Sequence, residues 1–141
     1  MSYERSREHL SIRLPRPTLV RLDERASDTG QTRSALAARY LEEGLRSDEH
    51  PGIVFVDGPA GRRPRLAAAG PDVWEVIETL RASANSIEET AEYLAIPLES
   101  VRAAVAYYAA YPDEINAWIE RNLRIADREE EAWRRQARLL A

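Results

Sequence analysis

The chain has 141 residues, with 24 acidic side chains against 20 cations and a formal charge of −4; every cation is an arginine and there is no cysteine. That length suits one ordinary domain or two small ones, and the missing cysteines exclude disulfides and thiolate metal sites. His9 and His50 are too far apart for an HxxxH or HExxH pattern, and no run approaches eighteen apolar residues, so no metal and no membrane span are expected and a cytoplasmic protein is.

The chain opens on an alternation: Leu10, Ile12 and Leu14 fall on one face of an extended segment and His9, Ser11 and Arg13 on the other. A strand this short cannot satisfy its own backbone or cover its apolar side, so it predicts a second copy related by a two-fold axis. Two such strands paired antiparallel make a ribbon of a size for the DNA major groove, where His9, Ser11 and Arg13 would read base edges. Pro15 and Pro17 end the strand and open a helix whose core-facing stripe is Leu19, Leu22 and Ala26. Gly30 suits the helix end and Thr32 the next N-cap, while Leu36, Tyr40, Leu41 and Leu45 are expected to form the buried side of the second helix. The amides at Thr32, Arg33 and Ser34, beside an arginine, predict a phosphate clamp.

Ser47 to Pro51 reads as a boundary. Ile53 to Val56 is rich in strand formers, residues 57–61 read as a turn, and residues 62–67 as a returning strand. Val73, Trp74, Ile77 and Leu80 define the next helix. Ser86 with Glu89 is a capping box, followed by Ile87, Ala91 and Leu94 on the buried edge of a further helix. Ala95–Ile96–Pro97 turns the chain into Leu98, Val101, Val105 and Tyr108, up to Tyr111–Pro112. This is a helix-turn-helix pattern, but its second helix offers only Arg102 to phosphates, which points to a structural or protein-binding role instead of a second DNA site.

From Asp113 onward one long charged helix is predicted, packed on its neighbours through Leu123. Beyond Ile125 the apolar Trp133, Leu139 and Leu140 have no evident core, and the segment is read either as a solvated end or dimer contact, or as a partner-binding tail. Residues 1–46 carry nine arginines against seven acids, a formal +2, whereas residues 47–141 carry eleven against seventeen, a formal −6. Any DNA contact is therefore expected to be local to the N-terminal unit. Catalysis is not expected: there is no glycine-rich phosphate loop of Walker spacing and no base–nucleophile arrangement, and the paired Glu88 and Glu89 sit at a helix start where the dipole favours acids.

Residues 10–45, LSIRLPRPTLVRLDERASDTGQTRSALAARYLEEGL, resemble the ribbon-helix-helix family of bacterial repressors and antitoxins. The resemblance implies a dimer whose paired strands read the groove through His9, Ser11 and Arg13 while Thr32, Arg33 and Ser34 hold the backbone. Arg25 departs from the pattern, standing where the first helix usually carries an apolar residue. From His50 to Asn122, the motifs HPGIVFVDGPAGRRPRL, PDVWEVIETL and SIEETAEYLAIPLESVRAAVAYYAAYPDEI resemble the bacterial family catalogued as domain of unknown function 433. That family is similar to antitoxins of type II toxin–antitoxin pairs whose partners are PIN-like ribonucleases.

The expected architecture is mainly α with short β: a ribbon-helix-helix unit over 1–46, a linker over 47–52, a β-hairpin with a helical module over 53–124 and a helical tail over 125–141. The function expected is that of an antitoxin, bound to operator DNA as a homodimer or higher oligomer and to a cognate toxin through Trp133, Arg134, Arg135, Arg138, Leu139 and Leu140, with no cofactor. The alternatives are a stand-alone repressor whose C-terminal module senses a ligand or drives assembly, and an adaptor.

Overall fold

Prolines and caps punctuate the chain where the sequence places them. The computed structural model describes residues 7–68 and 70–141; residues 1–6 of the expected N-terminal unit lie outside the described residues. It is mainly helical, with helices α1 (Arg16–Thr29), α2 (Arg33–Glu49), α3 (Val73–Ala82), α4 (Ile87–Leu94), α5 (Leu98–Ala110) and α6 (Pro112–Leu140) and a small sheet of strands β1 (Ile53–Val56) and β2 (Arg63–Leu66). No helix among the described residues is long and apolar enough to cross a membrane. Two compact units divide between Glu42 and Glu43, inside α2.

In the first unit, Pro17 stands in the opening turn of α1, and Gly30 ends it in the left-handed conformation at φ 67°. Gln31 N–H then closes on the Ala26 carbonyl (2.9 Å), satisfying a group the helix end would orphan. Thr32 caps α2 by accepting from Ala35 N–H at 3.1 Å. Only Ala26 and Leu36 of the two helices are buried; Leu19 and Leu22 are half-buried, and Tyr40, Leu41 and Leu45 are exposed. The buried side expected for α2 is thus mostly uncovered. Arg25 is exposed and outside that small core. Helix α2 also runs three residues beyond the expected end at Arg46, stopping at Glu49 ahead of Pro51, which cannot continue the helix's hydrogen bonding.

The second unit closes its own core. Strands β1 and β2 pair antiparallel, Ile53 opposite Leu66 and Val56 opposite Arg63, and the loop between them is tied by reciprocal bonds of Gly58 and Gly61 (3.1 and 2.9 Å). Ile53 and Leu66 join Val73, Val76 and Ile77 of α3, Ala91 of α4, Val101, Ala104 and Tyr107 of α5, and Ile115 and Ile119 of α6 in one cluster. Each aliphatic side chain buried there contributes about 1.5–3 kcal/mol.

Helix α5 differs from expectation in which tyrosine it buries: Tyr107 is fully enclosed and Tyr108 only partly. Burial of a phenol requires partners for its oxygen, and Tyr107 has them. Its hydroxyl donates to Glu114 (2.8 Å) and accepts from Arg46 (2.9 Å), while Arg46 also reaches Glu114 at 2.5 Å. Burial and the Glu114 carboxylate push the phenol well above its ordinary range.

The turn between α4 and α5 stores backbone strain. Ser86 caps α4 by accepting from Glu89 N–H, as the capping box predicts, but the far end is closed by Ala95 at φ 54°. A residue with a Cβ pays about 1–2 kcal/mol for that conformation, whereas glycine adopts it freely. Ala95 is exposed, so its methyl group is not packed in the core. Ala95→Gly is therefore expected to raise stability by about 0.5–1 kcal/mol, measured as a higher urea midpoint at unchanged slope; a lower midpoint would contradict the assignment of strain.

Candidate functional site

Residues 7–15 are all exposed, polar and apolar alike. His9 Nε2 and Ser11 Oγ lie 2.8 Å apart, two residues along the chain, and Arg13 is exposed with them. The opposite row is bare: Leu10 is 68%, Ile12 55% and Leu14 39% exposed. Residues 7–15 form no strand within the single chain, because a strand needs a hydrogen-bonded neighbour and none of the described strands pairs with them. Ile12 and Leu14 instead line an open, mostly apolar cavity of about 560 Å³ together with Leu22, Ala37, Tyr40 and Leu41.

At the start of α2, Thr32, Arg33 and Ser34 are all exposed. The helix geometry leaves the first-turn N–H groups of Arg33 and Ser34 without intrahelical acceptors. The Thr32 hydroxyl is engaged as the cap, and the Arg33 guanidinium is engaged too, donating from Nε and Nη2 to the two carboxylate oxygens of Asp23, both at 2.7 Å. Those hydrogen bonds hold the Asp23 carboxyl below its usual range. The sequence reading missed this pairing. Its signal is a residue pair of opposite charge flanking the Gly30 turn, which brings position 23 of α1 back to position 33.

A phosphate arriving at the α2 terminus would compete with Asp23 for Arg33. Were this terminus to meet a DNA backbone, as the sequence leads one to expect, Asp23→Asn would free the guanidinium and tighten that contact, with the slope of log affinity against log salt steeper by about 0.9 for each arginine released. An unchanged slope in a fluorescence-anisotropy titration would mean that Arg33 does not meet the backbone.

The second unit contributes three further features. Asp72 is buried and accepts from Arg63 Nε (2.5 Å) and from Trp74 Nε1 (3.2 Å). These residues border a cavity of about 330 Å³ shared with Trp118, Arg121 and Ile125. Arg121 also donates to the Ala60 carbonyl at 2.6 Å. Two tryptophans so far apart in sequence gave no signal of converging. Arg102 is paired with Glu99 at 2.7 Å, so the one arginine of α5 is held by its own helix. Finally, α6 buries only Ile115 and Ile119. Leu123 is exposed, contrary to the packing expected through that residue, and Trp133, Arg134, Arg135, Arg138, Leu139 and Leu140 all face solvent. Within that stretch Arg134 pairs with Glu130 one turn back, at 2.6 Å.

Comparison of the chain with protein-family models, with curated proteins and with solved structures finds no match to any of them.

Proposed function

We propose that the chain is the antitoxin of a type II toxin–antitoxin pair, a dimeric ribbon-helix-helix repressor whose C-terminal part binds and inhibits a PIN-like ribonuclease. The observation that supports the DNA-binding half is that Leu10, Ile12 and Leu14, which alternate in sequence with His9, Ser11 and Arg13, are left exposed, Ile12 and Leu14 beside a mostly apolar cavity. A second copy pairing along this segment would satisfy its backbone, cover the leucines and turn both polar rows outward as a ribbon for the major groove. The local excess of positive charge in residues 1–46, against an acidic remainder, supports the same placement.

The partner-binding half rests on the exposed end of α6. Trp133, Leu139 and Leu140 offer apolar anchors, and Arg134, Arg135 and Arg138 offer cations fit to neutralise the acidic, metal-binding centre of such a nuclease. Toxin held by the tails would change the avidity of neighbouring dimers on DNA, coupling inhibition to repression.

Co-expression with the product of the adjacent open reading frame, tagging only this chain, tests the reading. One particle of defined mass by light scattering, able to retain upstream DNA, is the expected result. A chain that purifies alone yet binds that DNA would favour the second reading, a stand-alone repressor with a sensing module, for which the cavity lined by Trp74 and Trp118 is the specific support. Failure to bind DNA at all would overturn both.

A further inference from the structure

Trp118, Arg121, Asn122 and Ile125 stand at i, i+3, i+4 and i+7 along α6 and so share one side of that helix. All four line the cavity of about 330 Å³ that also meets Trp74 at the start of α3 and Arg63 of β2. Its volume is at the small end of the range of ligand cavities, about 300–1,000 Å³, and its walls have the same make-up, mainly apolar and aromatic around a few polar groups.

Asp72 fixes those polar groups. It stands at the N-cap of α3, where an aspartate ordinarily accepts from the free amides of the helix, yet its side chain makes no such bond. Its carboxylate, in a residue only 6% exposed, accepts instead from Arg63 Nε (2.5 Å) and Trp74 Nε1 (3.2 Å), both on the same oxygen. The hairpin turn makes room for the same guanidinium, since a Cβ at Gly58 would stand 2.1 Å from Arg63 Nη1. The Trp74 ring and the Arg63 fork are therefore held in place without a ligand, so binding does not have to order them.

The charges choose the ligand. Arg63 and Asp72 neutralise each other, which leaves the lining one net positive charge, that of Arg121. Arg121 Nη1 donates to the Ala60 carbonyl (2.6 Å) and the guanidinium lies 5.6 Å from the centre of the Trp118 ring, but among the described residues no carboxylate pairs with it. A guanidinium has five N–H donors in a planar fork, so one bond to a carbonyl leaves donors for an incoming anion. A cationic ligand would be repelled here, and a polyphosphate would need more than one uncompensated cation.

We propose that this cavity binds a small aromatic carboxylate, its ring against the indoles of Trp74 and Trp118 and its carboxylate on the Arg121 guanidinium. The binding depends on neither DNA nor a toxin, so it stands or falls apart from the antitoxin reading.

The probe is 2-naphthoate, titrated into the full-length protein by calorimetry and followed through the three indole N–H signals by NMR. One molecule per chain should bind, moving the Trp74 and Trp118 signals and leaving that of Trp133, which lies outside the cavity. The neutral isostere 2-naphthamide should bind at least about ten-fold more weakly, for want of a charge-assisted bond. Cyclohexanecarboxylate, an anion without a π face, should also bind more weakly. Arg121→Gln, at an exposed position, should lower naphthoate to the level of the amide without moving the thermal midpoint, and Arg121→Lys, which keeps the charge but not the fork, should fall between. Equal affinity for naphthoate and naphthamide, naphthoate binding indifferent to Arg121→Gln, or unmoved Trp74 and Trp118 signals at millimolar naphthoate would overturn the proposal. Loss of toxin capture in Arg121→Gln by a chain that does not bind naphthoate would also overturn it, and would give the cavity to a protein contact.

Discussion

Arg13→Ala should weaken operator binding by about 1–3 kcal/mol for each base contact removed, and by about 2–6 kcal/mol in a dimer that carries the residue twice. At 1.4 kcal/mol per factor of ten this is a loss of between roughly thirty-fold and twenty-thousand-fold. Folding should be unaffected, because the side chain is exposed and the segment around it belongs to no helix or strand of the chain's own core. The effect has a signature beyond its size. Removing a base contact relaxes sequence preference, so affinity for operator should fall toward affinity for unrelated DNA; loss of a phosphate contact would weaken both alike and flatten the salt dependence. His9→Ala and Ser11→Ala should act in the same direction with smaller effect, since neither side chain makes a bidentate contact with guanine. Anisotropy titrations against operator and scrambled DNA at two salt concentrations separate these cases. Equal affinity of Arg13→Ala and the parent chain for operator would remove the reading face from this segment.

Local chemistry was legible in the sequence because its causes are local. The Ser86 cap on the Glu89 amide, the left-handed Gly30 and the Thr32 cap each depend on a few neighbouring residues, and each lies where the pattern places it, although the Ser86 N–H bonds the Ser83 carbonyl and not the Glu89 side chain that a full capping box would use. The hairpin was legible for the same reason: a β-rich run, a glycine turn and a return. What escaped depends on which surfaces meet. Tyr107 and Tyr108 are adjacent and chemically identical, and both hydroxyls find partners, Arg46 and Glu114 for one and Arg81 and Asn116 for the other, so only the side of α5 that meets the core decides which ring is buried. Asp23 and Arg33 are ten residues apart, and their pairing appears only when the turn at Gly30 is folded. The burial expected for Tyr40, Leu41 and Leu45 failed differently: helical spacing identifies an apolar face, but not whether the same chain or another covers it. The first unit's exposed leucines and the end of α6 present that same question, which is why both are sites of proposed association.

Ending the chain after Asp127 is expected to separate the two halves of the function. Residues 128–141 contain no buried side chain, and the Arg134–Glu130 pair they carry is exposed, worth at most a few tenths of a kcal/mol. The thermal midpoint of the second unit should therefore stay where it is, and Arg13-dependent DNA binding with it. Toxin capture should not. A buried interface tryptophan or arginine costs about 2 kcal/mol or more when removed, so the loss of Trp133 together with Arg134, Arg135 and Arg138 should lower affinity by at least about a thousand-fold even if their contributions overlap. Trp133→Ala alone should reproduce a large share of that loss, while Arg135→Ala should act more through the association rate, as charges at a rim do. Surface-plasmon measurements of the truncated and single-residue variants against the toxin resolve the two. Full neutralisation by the truncated chain would take the partner site off the tail and move it to the cavity where Trp74 and Trp118 meet Arg63 and Arg121, the other aromatic and cationic surface of the second unit.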